Sequence, residues 1–361
     1  MDQFNTPQGE PQEPASGQAQ AAPGRWAWLS KILGPAIAIA LIVIAVVVLR
    51  EVTQEITWQD LRGAMRAVPL GALIASMLLA MAAMGTMGLY DVLSCYVAKL
   101  RHVPVRLSLV AGYCGYALSN ALGFHVILGG TVRYRIYARA GLSGEQIAQI
   151  LALSLATIWL SVAAMAAFVM VVSPLAVPLL RWAPVLTQAT GAALGAVLLG
   201  LYIWLWRGER EIRLLGWRFP LPGGKAAIFQ TLLGVVDFGL AAAALYVLIP
   251  EDLRPDFPVF MLIFTTSFLA GVVSHSPGGL GVLEAGILLG LGAANRPDAI
   301  AALMLFRLSY YVLPFVIAVL TLLGMELLGR SGRAWRIFLR YAAITGVVGL
   351  STILLIVLTR K

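Results

Sequence analysis

The chain has 361 residues, of which 60% are hydrophobic and 12% charged, and it carries a formal net charge of +9. Several apolar runs reach the roughly 20 residues that span a bilayer, which excludes a soluble globular class and predicts an all-α integral membrane protein, a polytopic helical bundle. In such a chain the basic excess reads as loop charge on the cytoplasmic side and not as a nucleic-acid surface, and two cysteines in apolar sequence, Cys95 and Cys114, exclude a disulfide framework or a cysteine-rich metal site.

Residues 1–24 are rich in Gln, Pro, Gly, Ala and Ser, too polar to bury a core, and read as a disordered cytoplasmic tail. The first apolar segment, 33–49, follows Arg25, Trp26, Trp28 and Lys31, a basic and aromatic flank that predicts an uncleaved span with its N-terminus inside. A second span is predicted over 69–97. Loops 98–107 (Lys99, Arg101, Arg106) and 130–145 (Arg133, Arg135, Arg139 against Glu145) are both basic, so both should be cytoplasmic. One simple span cannot begin and end inside. The intervening segment 108–129 holds Gly112, Gly115, Ser119, Asn120 and Gly123, and it is predicted to be a re-entrant hairpin turning near 119–123, where the Asn120 amide must be satisfied.

Spans are predicted next over 146–172, 185–206 and 226–249. Loop 207–225, with Arg207, Arg210, Arg213, Arg218 and Lys225, should be inside; loop 250–258, with Glu251, Asp252 and Asp256 against Arg254, should be outside. The apolar segment 259–294 is cut by Ser274-His275-Ser276-Pro277-Gly278-Gly279-Leu280-Gly281, and a single span, 299–325, then leads to the basic cluster Arg330, Arg333, Arg336 and Arg340. Segment 259–294 must therefore start and finish outside, as a second hairpin opposed to the first. Two halves, 33–172 and 185–326, then form an inverted-topology repeat within a membrane domain covering 25–328, and residues 329–361 add a basic linker and one more C-terminal span. Transporters with such repeats hold their substrate near the midplane, between discontinuous helices.

Asp91, Asp237, Glu284 and Arg307 are ionisable residues in or beside apolar spans, where each is costly unless paired or hydrated. Two readings stand open. The acids Asp237 and Glu284 meet a cationic group of a substrate while Arg307 meets an anionic one, or Arg307 pairs internally with Glu284 or Asp237 and fixes helix packing. Thr131 to Tyr137, with Arg133 and Arg135 alternating with tyrosines, either docks a lipid phosphate or is an ordinary basic flank. His275 and His125 lie in the two hairpins without the companions a metal site needs, and no nucleophile elbow or phosphate loop is present, so no metal and no cofactor is expected.

The stretches Gly115–Phe124, Gly129–Tyr137, Ser274–Glu284 and Arg307–Tyr311 resemble, in order and spacing, the membrane region of the phosphatidylglycerol lysyltransferase, or multiple peptide resistance factor, family. The resemblance runs from about Leu49 to Leu328 and leaves out the family's soluble transferase domain. It implies a flippase and not an enzyme: one that moves aminoacylated phospholipid such as lysyl-phosphatidylglycerol from the inner to the outer leaflet of the bacterial cytoplasmic membrane, lowering sensitivity to cationic antimicrobial peptides. The candidate substrate-binding residues on this reading are Glu284, Arg307, Asp237, Arg133, Arg135, Asn120 and His275. The alternative is a non-transporting membrane subunit that anchors a separate aminoacyl-lipid synthase. Such a synthase, the phospholipid and a second copy of the chain are the candidate partners; nucleic acid is not.

Overall fold

The computed structural model describes residues 58–122, 125–172, 174, 183–208, 210–214, 217–273 and 279–327. The expected spans 33–49 and 342–358, the tail and linker, and the break at 274–278 lie outside these residues. Eleven α-helices are described: α1 Trp58–Ala67, α2 Leu70–Val97, α3 Val105–Leu122, α4 His125–Ala138, α5 Gly144–Val172, α6 Pro184–Trp206, α7 Gly224–Tyr246, α8 Phe257–Val273, α9 Val282–Leu291, α10 Pro297–Arg307 and α11 Leu313–Leu327. A π turn, Leu308–Val312, joins α10 to α11. The protein is an all-α integral membrane protein: α2, α5, α6, α7 and the α10–α11 unit are long and apolar enough to cross a bilayer.

Proline punctuates these helices. Pro184 and Pro297 sit at first-turn positions, where their missing N–H costs nothing. Pro314 acts differently, because inside a helix its ring opposes the carbonyl four residues back and it donates no hydrogen bond. The ladder widens there, and the Leu313 N–H bonds to the Leu308 carbonyl, one residue further than in an α-helix.

Segments 105–138 and 257–291 each form an antiparallel pair of helices. In the first, Gly115 and Ser119 of α3 lie against Gly129 of α4; in the second, Gly271 meets Gly279, Ser267 meets Gly286 and Ile263 meets Gly290. Each pairing sums to a nearly constant residue number, the signature of a hairpin. Small residues make the approach possible: a Cβ on Gly286 would lie 2.4 Å from Ser267 Oγ, and one on Gly290 would lie 2.5 Å from Ile263 Cγ2. Gly279 and Gly281 start the return leg at φ 64° and 80°, backbone that a side chain would strain. At 14 and 10 residues, α4 and α9 are about 21 and 15 Å long, short of the ~30 Å hydrocarbon layer.

The hairpins open at opposite ends of the bundle. Residues 96–99, which end α2, share a cleft with residues 223–226, which begin α7, so these two packed helices run antiparallel. At the same end, Gln149 Nε2 donates to the Arg218 carbonyl (2.6 Å) and the Arg218 N–H donates to Glu145 Oε1 (3.0 Å). The connections after α2, α4 and α6 (98–104, 139–143 and 207–223) thus gather at one end. At the other end, Arg296 bonds Asp252 (2.8 Å) and Asp298 (2.7 Å), joining the loop before α8 to the loop after α9. The order span, hairpin, span occurs twice, with the second set running in reverse.

The first hairpin's return leg is longer than expected, since α4 runs to Ala138 and not to 129, and two further features depart from the sequence reading. Loop 207–225 contains an antiparallel ribbon, β1 Glu211–Leu214 and β2 Trp217–Pro220. The amphipathic α1, too polar on average to stand out among the apolar runs, packs on α10.

Candidate functional site

Buried polar side chains are concentrated on α2, α3, α5 and α7, joined by Arg133 of α4, and a partly buried ion pair links α9 to α10. Helix α2 presents Thr86, Tyr90, Asp91 and Ser94 within two and a half turns, close enough for both ends of the set to serve one polar layer.

Asp91 is fully buried and carries most of that layer. Arg133 Nε donates to its Oδ1 (3.1 Å) and Oδ2 (2.9 Å), Arg133 Nη2 donates to Oδ1 (2.8 Å), Tyr137 Oη donates to Oδ2 (3.0 Å), and Ser154 Oγ donates to Oδ1 (3.1 Å). The remaining guanidinium nitrogen reaches the Gly129 carbonyl (3.3 Å), and the Arg133 Cζ stands 4.6 Å above the centroid of the Tyr116 ring. Gly115 and Gly129 make the space: a Cβ at either position would lie 2.9 Å or 3.0 Å from Arg133 Nη1. A bidentate fork of this kind satisfies both charges without water.

This corrects the expected position of Arg133. The segment 131–137 is not a flank at the rim of the bundle but the continuation of α4, and Gly129, Arg133 and Tyr137 recur every four residues on one face. That face turns inward, leaving the Arg133 and Asp91 side chains 1% and 0% exposed. Tyr134 and Arg135 point outward and are exposed. The signal for the buried face was present in the four-residue spacing, but its acid partner lies 42 residues away on another helix.

Asp237, on α7, is buried beside the first pair. Tyr90 Oη donates to its Oδ2 (2.7 Å) and Thr86 Oγ1 to its Oδ1 (3.0 Å). Tyr90 also meets Tyr116 edge-on, with ring centroids 5.7 Å apart, so one aromatic contact separates Asp237's partner from the ring under Arg133. Asn120 is buried near the tip of the first hairpin, where its amide lies 3.7 Å from Met87 Sδ of α2.

The second ion pair joins Arg307 Nε, at the end of α10, to Glu284 Oε1 in the first turn of α9. The same carboxylate caps its own helix, because Glu284 Oε2 accepts the Gly281 N–H (2.8 Å) where the hairpin's return leg begins. Arg307 Cζ stands 4.7 Å from the centroid of the Tyr311 ring, which lies in the π turn, and an aromatic cluster of Phe264, Phe306 and Tyr310 backs it. Each arginine therefore has one carboxylate and one tyrosine face. The pairs differ in access, since the side chains of Arg307 and Glu284 keep 17% and 12% exposure. Of the expected site residues the structure brings Glu284 to Arg307, sets Asp237 of α7 and Asn120 of α3 against side chains of α2, and leaves Arg135 on the outside; His275 lies outside the described residues. Among the described residues no group of three His, Cys, Asp or Glu side chains is arranged to hold a metal ion.

No family model matches the chain. It is 30% identical over 318 residues to the inner membrane protein YbhN of Escherichia coli K12, an alignment covering 86% of this chain and 96% of that protein. The chain belongs to the YbhN family. It is also 28% identical over 306 residues to the uncharacterized protein slr0712 of Synechocystis, covering 84% and 94% of the two chains. A phosphatidylglycerol lysyltransferase of Staphylococcus xylosus is 25% identical over 331 residues. That match takes in 89% of this chain but 38% of the enzyme, and it falls on the enzyme's membrane region and not on its catalytic domain. The expected resemblance is thus present over most of the chain, and it ties the family to a membrane, lipid-related role.

Proposed function

We propose that this protein translocates an aminoacylated phospholipid, such as lysyl-phosphatidylglycerol, from the inner to the outer leaflet of the bacterial inner membrane. The end of the bundle that gathers the three basic loops faces the cytoplasm, as does the N-terminus, and the two hairpins re-enter the bilayer from opposite sides.

The observation that carries this reading is the contrast between the two ion pairs. Asp91–Arg133 is sealed, with every charge satisfied inside the bundle, and it acts as a structural clamp on the first hairpin. Glu284–Arg307 retains access and lies at the start of a broken helix. A lipid bearing a phosphate and an ammonium can replace both partners at once: the phosphate takes Arg307 and the ammonium takes Glu284, with Asp237 of α7 as the second candidate carboxylate. Neither charge is then left bare, which keeps the exchange within reach of thermal motion. Arg135, exposed beside Tyr134, stands where a headgroup would first arrive.

Substrate discrimination in proteoliposomes tests this. Fluorescent lysyl-phosphatidylglycerol should cross faster than phosphatidylglycerol, which lacks the ammonium, and faster than phosphatidylcholine, whose quaternary ammonium cannot donate a hydrogen bond. Equal rates for all three, or rates no greater than in empty liposomes, would reject the proposal.

A further inference from the structure

A cleft of about 810 Å³ opens at the basic end of the bundle, between the ends of α2 and α6, the ribbon and the first turn of α7, and none of the ion-paired side chains described above lines it. The end of α2 and its following loop contribute Lys99 and Arg101, the end of α6 and the start of the ribbon contribute Trp206, Arg210 and Glu211, and the first turn of α7 contributes Lys225. Four cations converge on one acid. Cations gathered along a concave surface raise the local positive potential and draw anions into it.

The cleft is also built and not merely charged. Arg210 Nε donates to the Trp204 carbonyl (3.4 Å), and its guanidinium lies 4.2 Å from the Trp204 ring centroid, which holds it at the rim. Gly224, at the start of α7, packs against Trp206 so closely that a Cβ there would lie 2.7 Å from the Trp206 ring, which brings the first-turn N–H groups of the 23-residue α7 to the floor. Next to the cleft, α6 is exposed on both sides, with Val197 and Trp204 on one and Leu199, Ile203 and Trp206 on the other, and its last turns carry two indoles, residues suited to the level where headgroups meet water.

From this geometry we infer that the cleft binds a phosphate ester anion, with the headgroup of a cytoplasmic-leaflet phospholipid seated among Lys99, Arg101, Arg210 and Lys225 while its acyl chains lie along α6. The volume matches a phosphorylated glycerol with room to spare, and basic pockets between spans at a cytoplasmic face suit anionic headgroups. The site stands independently of transport: binding would persist in a protein that moves no lipid.

Two triple variants that remove equal charge test it. Arg101→Gln/Arg210→Gln/Lys225→Gln empties the cleft, and Arg106→Gln/Arg139→Gln/Arg213→Gln removes three cations from the same end outside it. Native mass spectrometry of the detergent-purified protein should show phosphatidylglycerol retained over phosphatidylcholine. That preference should fall roughly tenfold or more in the cleft variant and stay within about twofold of wild type in the other. Titration with glycerol 3-phosphate and with inorganic phosphate in a neutral-lipid nanodisc distinguishes the source of the anion, since a soluble ester that binds as well as the lipid assigns the cleft to it. A wild-type protein with no preference for either anion source would overturn the inference, as would equal losses in both variants or no loss in either. Acylation of Lys99 and Lys225 by an amine reagent gives a readout free of mutation. Phosphatidylglycerol should slow it at both lysines relative to phosphatidylcholine, and unchanged labelling counts against the site.

Discussion

Replacing Arg133 with Met removes the cation from a carboxylate that has no access to water. In the wild type, Asp91 receives three short N–H contacts from Arg133 and two hydroxyls, from Tyr137 and Ser154. The variant keeps the two hydroxyls and loses the charge that balanced the site. Breaking a buried pair on one side costs about 3–5 kcal/mol, because the surviving charge has neither partner nor solvent. The cation over Tyr116 adds to the loss. The unfolding equilibrium should therefore shift by a factor of roughly 10² to 10⁴. Equilibrium unfolding in mixed detergent and dodecyl sulfate micelles, followed by tryptophan fluorescence, measures it. Asp91→Leu/Arg133→Met replaces both charges with apolar volume and should recover at least about 2 kcal/mol relative to the sum of the single variants. An Arg133→Met protein within about 1 kcal/mol of wild type, or a double variant as damaged as that sum, would refute the sealed-clamp reasoning.

Three further outcomes are expected. Gly115→Ala should destabilise by about 1–3 kcal/mol, since its methyl would sit 2.9 Å from a guanidinium pinned on Asp91; Gly63→Ala, with nothing within 4 Å, should be neutral or slightly stabilising in the same melting assay. Hydrogen bonding to Arg296 holds the exposed Asp252 carboxyl below its ordinary range, so its contribution is present above the unfolded carboxylate value near pH ~4 and fades as pH falls through the depressed folded value. The difference in melting midpoint between wild type and Arg296→Gln should accordingly be constant from pH 7 to 5 and shrink below pH ~4; a difference that grows on acidification would contradict the sign. Cys95 and Cys114 are both buried, so a maleimide should label neither in the folded detergent-solubilised protein and both after unfolding.

Much of the architecture was legible because membrane physics leaves few options. The basic segments 98–107, 130–145 and 207–225 could not alternate across a bilayer, and resolving that conflict demanded hairpins at 108–129 and 259–294; the helix pairs α3–α4 and α8–α9 stand at these segments, although α4 runs on to Ala138 and takes Arg133 out of the loop whose charge argued for the first hairpin. Glu284 with Arg307 is one of the internal pairs that the cost of intramembrane charge allows. What sequence concealed was long-range pairing. Arg133 read as a rim residue because arginine beside tyrosine in a basic stretch is what an interface looks like. Only the three-dimensional approach of α2 supplies Asp91, and only two glycines, 115 and 129, admit the guanidinium. The ribbon at 211–220 was hidden for another reason: it is four residues per strand, charged, and anchored by backbone bonds to Glu145 and Gln149 that no local pattern announces.

The central claim is that the accessible pair, and not the sealed one, handles the lipid. The most direct measurement is the initial rate of fluorescent lysyl-phosphatidylglycerol translocation in proteoliposomes, normalised to folded protein, for wild type, Glu284→Gln and Arg307→Ala. Each variant loses a charged hydrogen bond to the lipid worth about 1.5–3 kcal/mol, so each rate should drop roughly 10- to 100-fold. Wild-type rates in both variants would contradict the account.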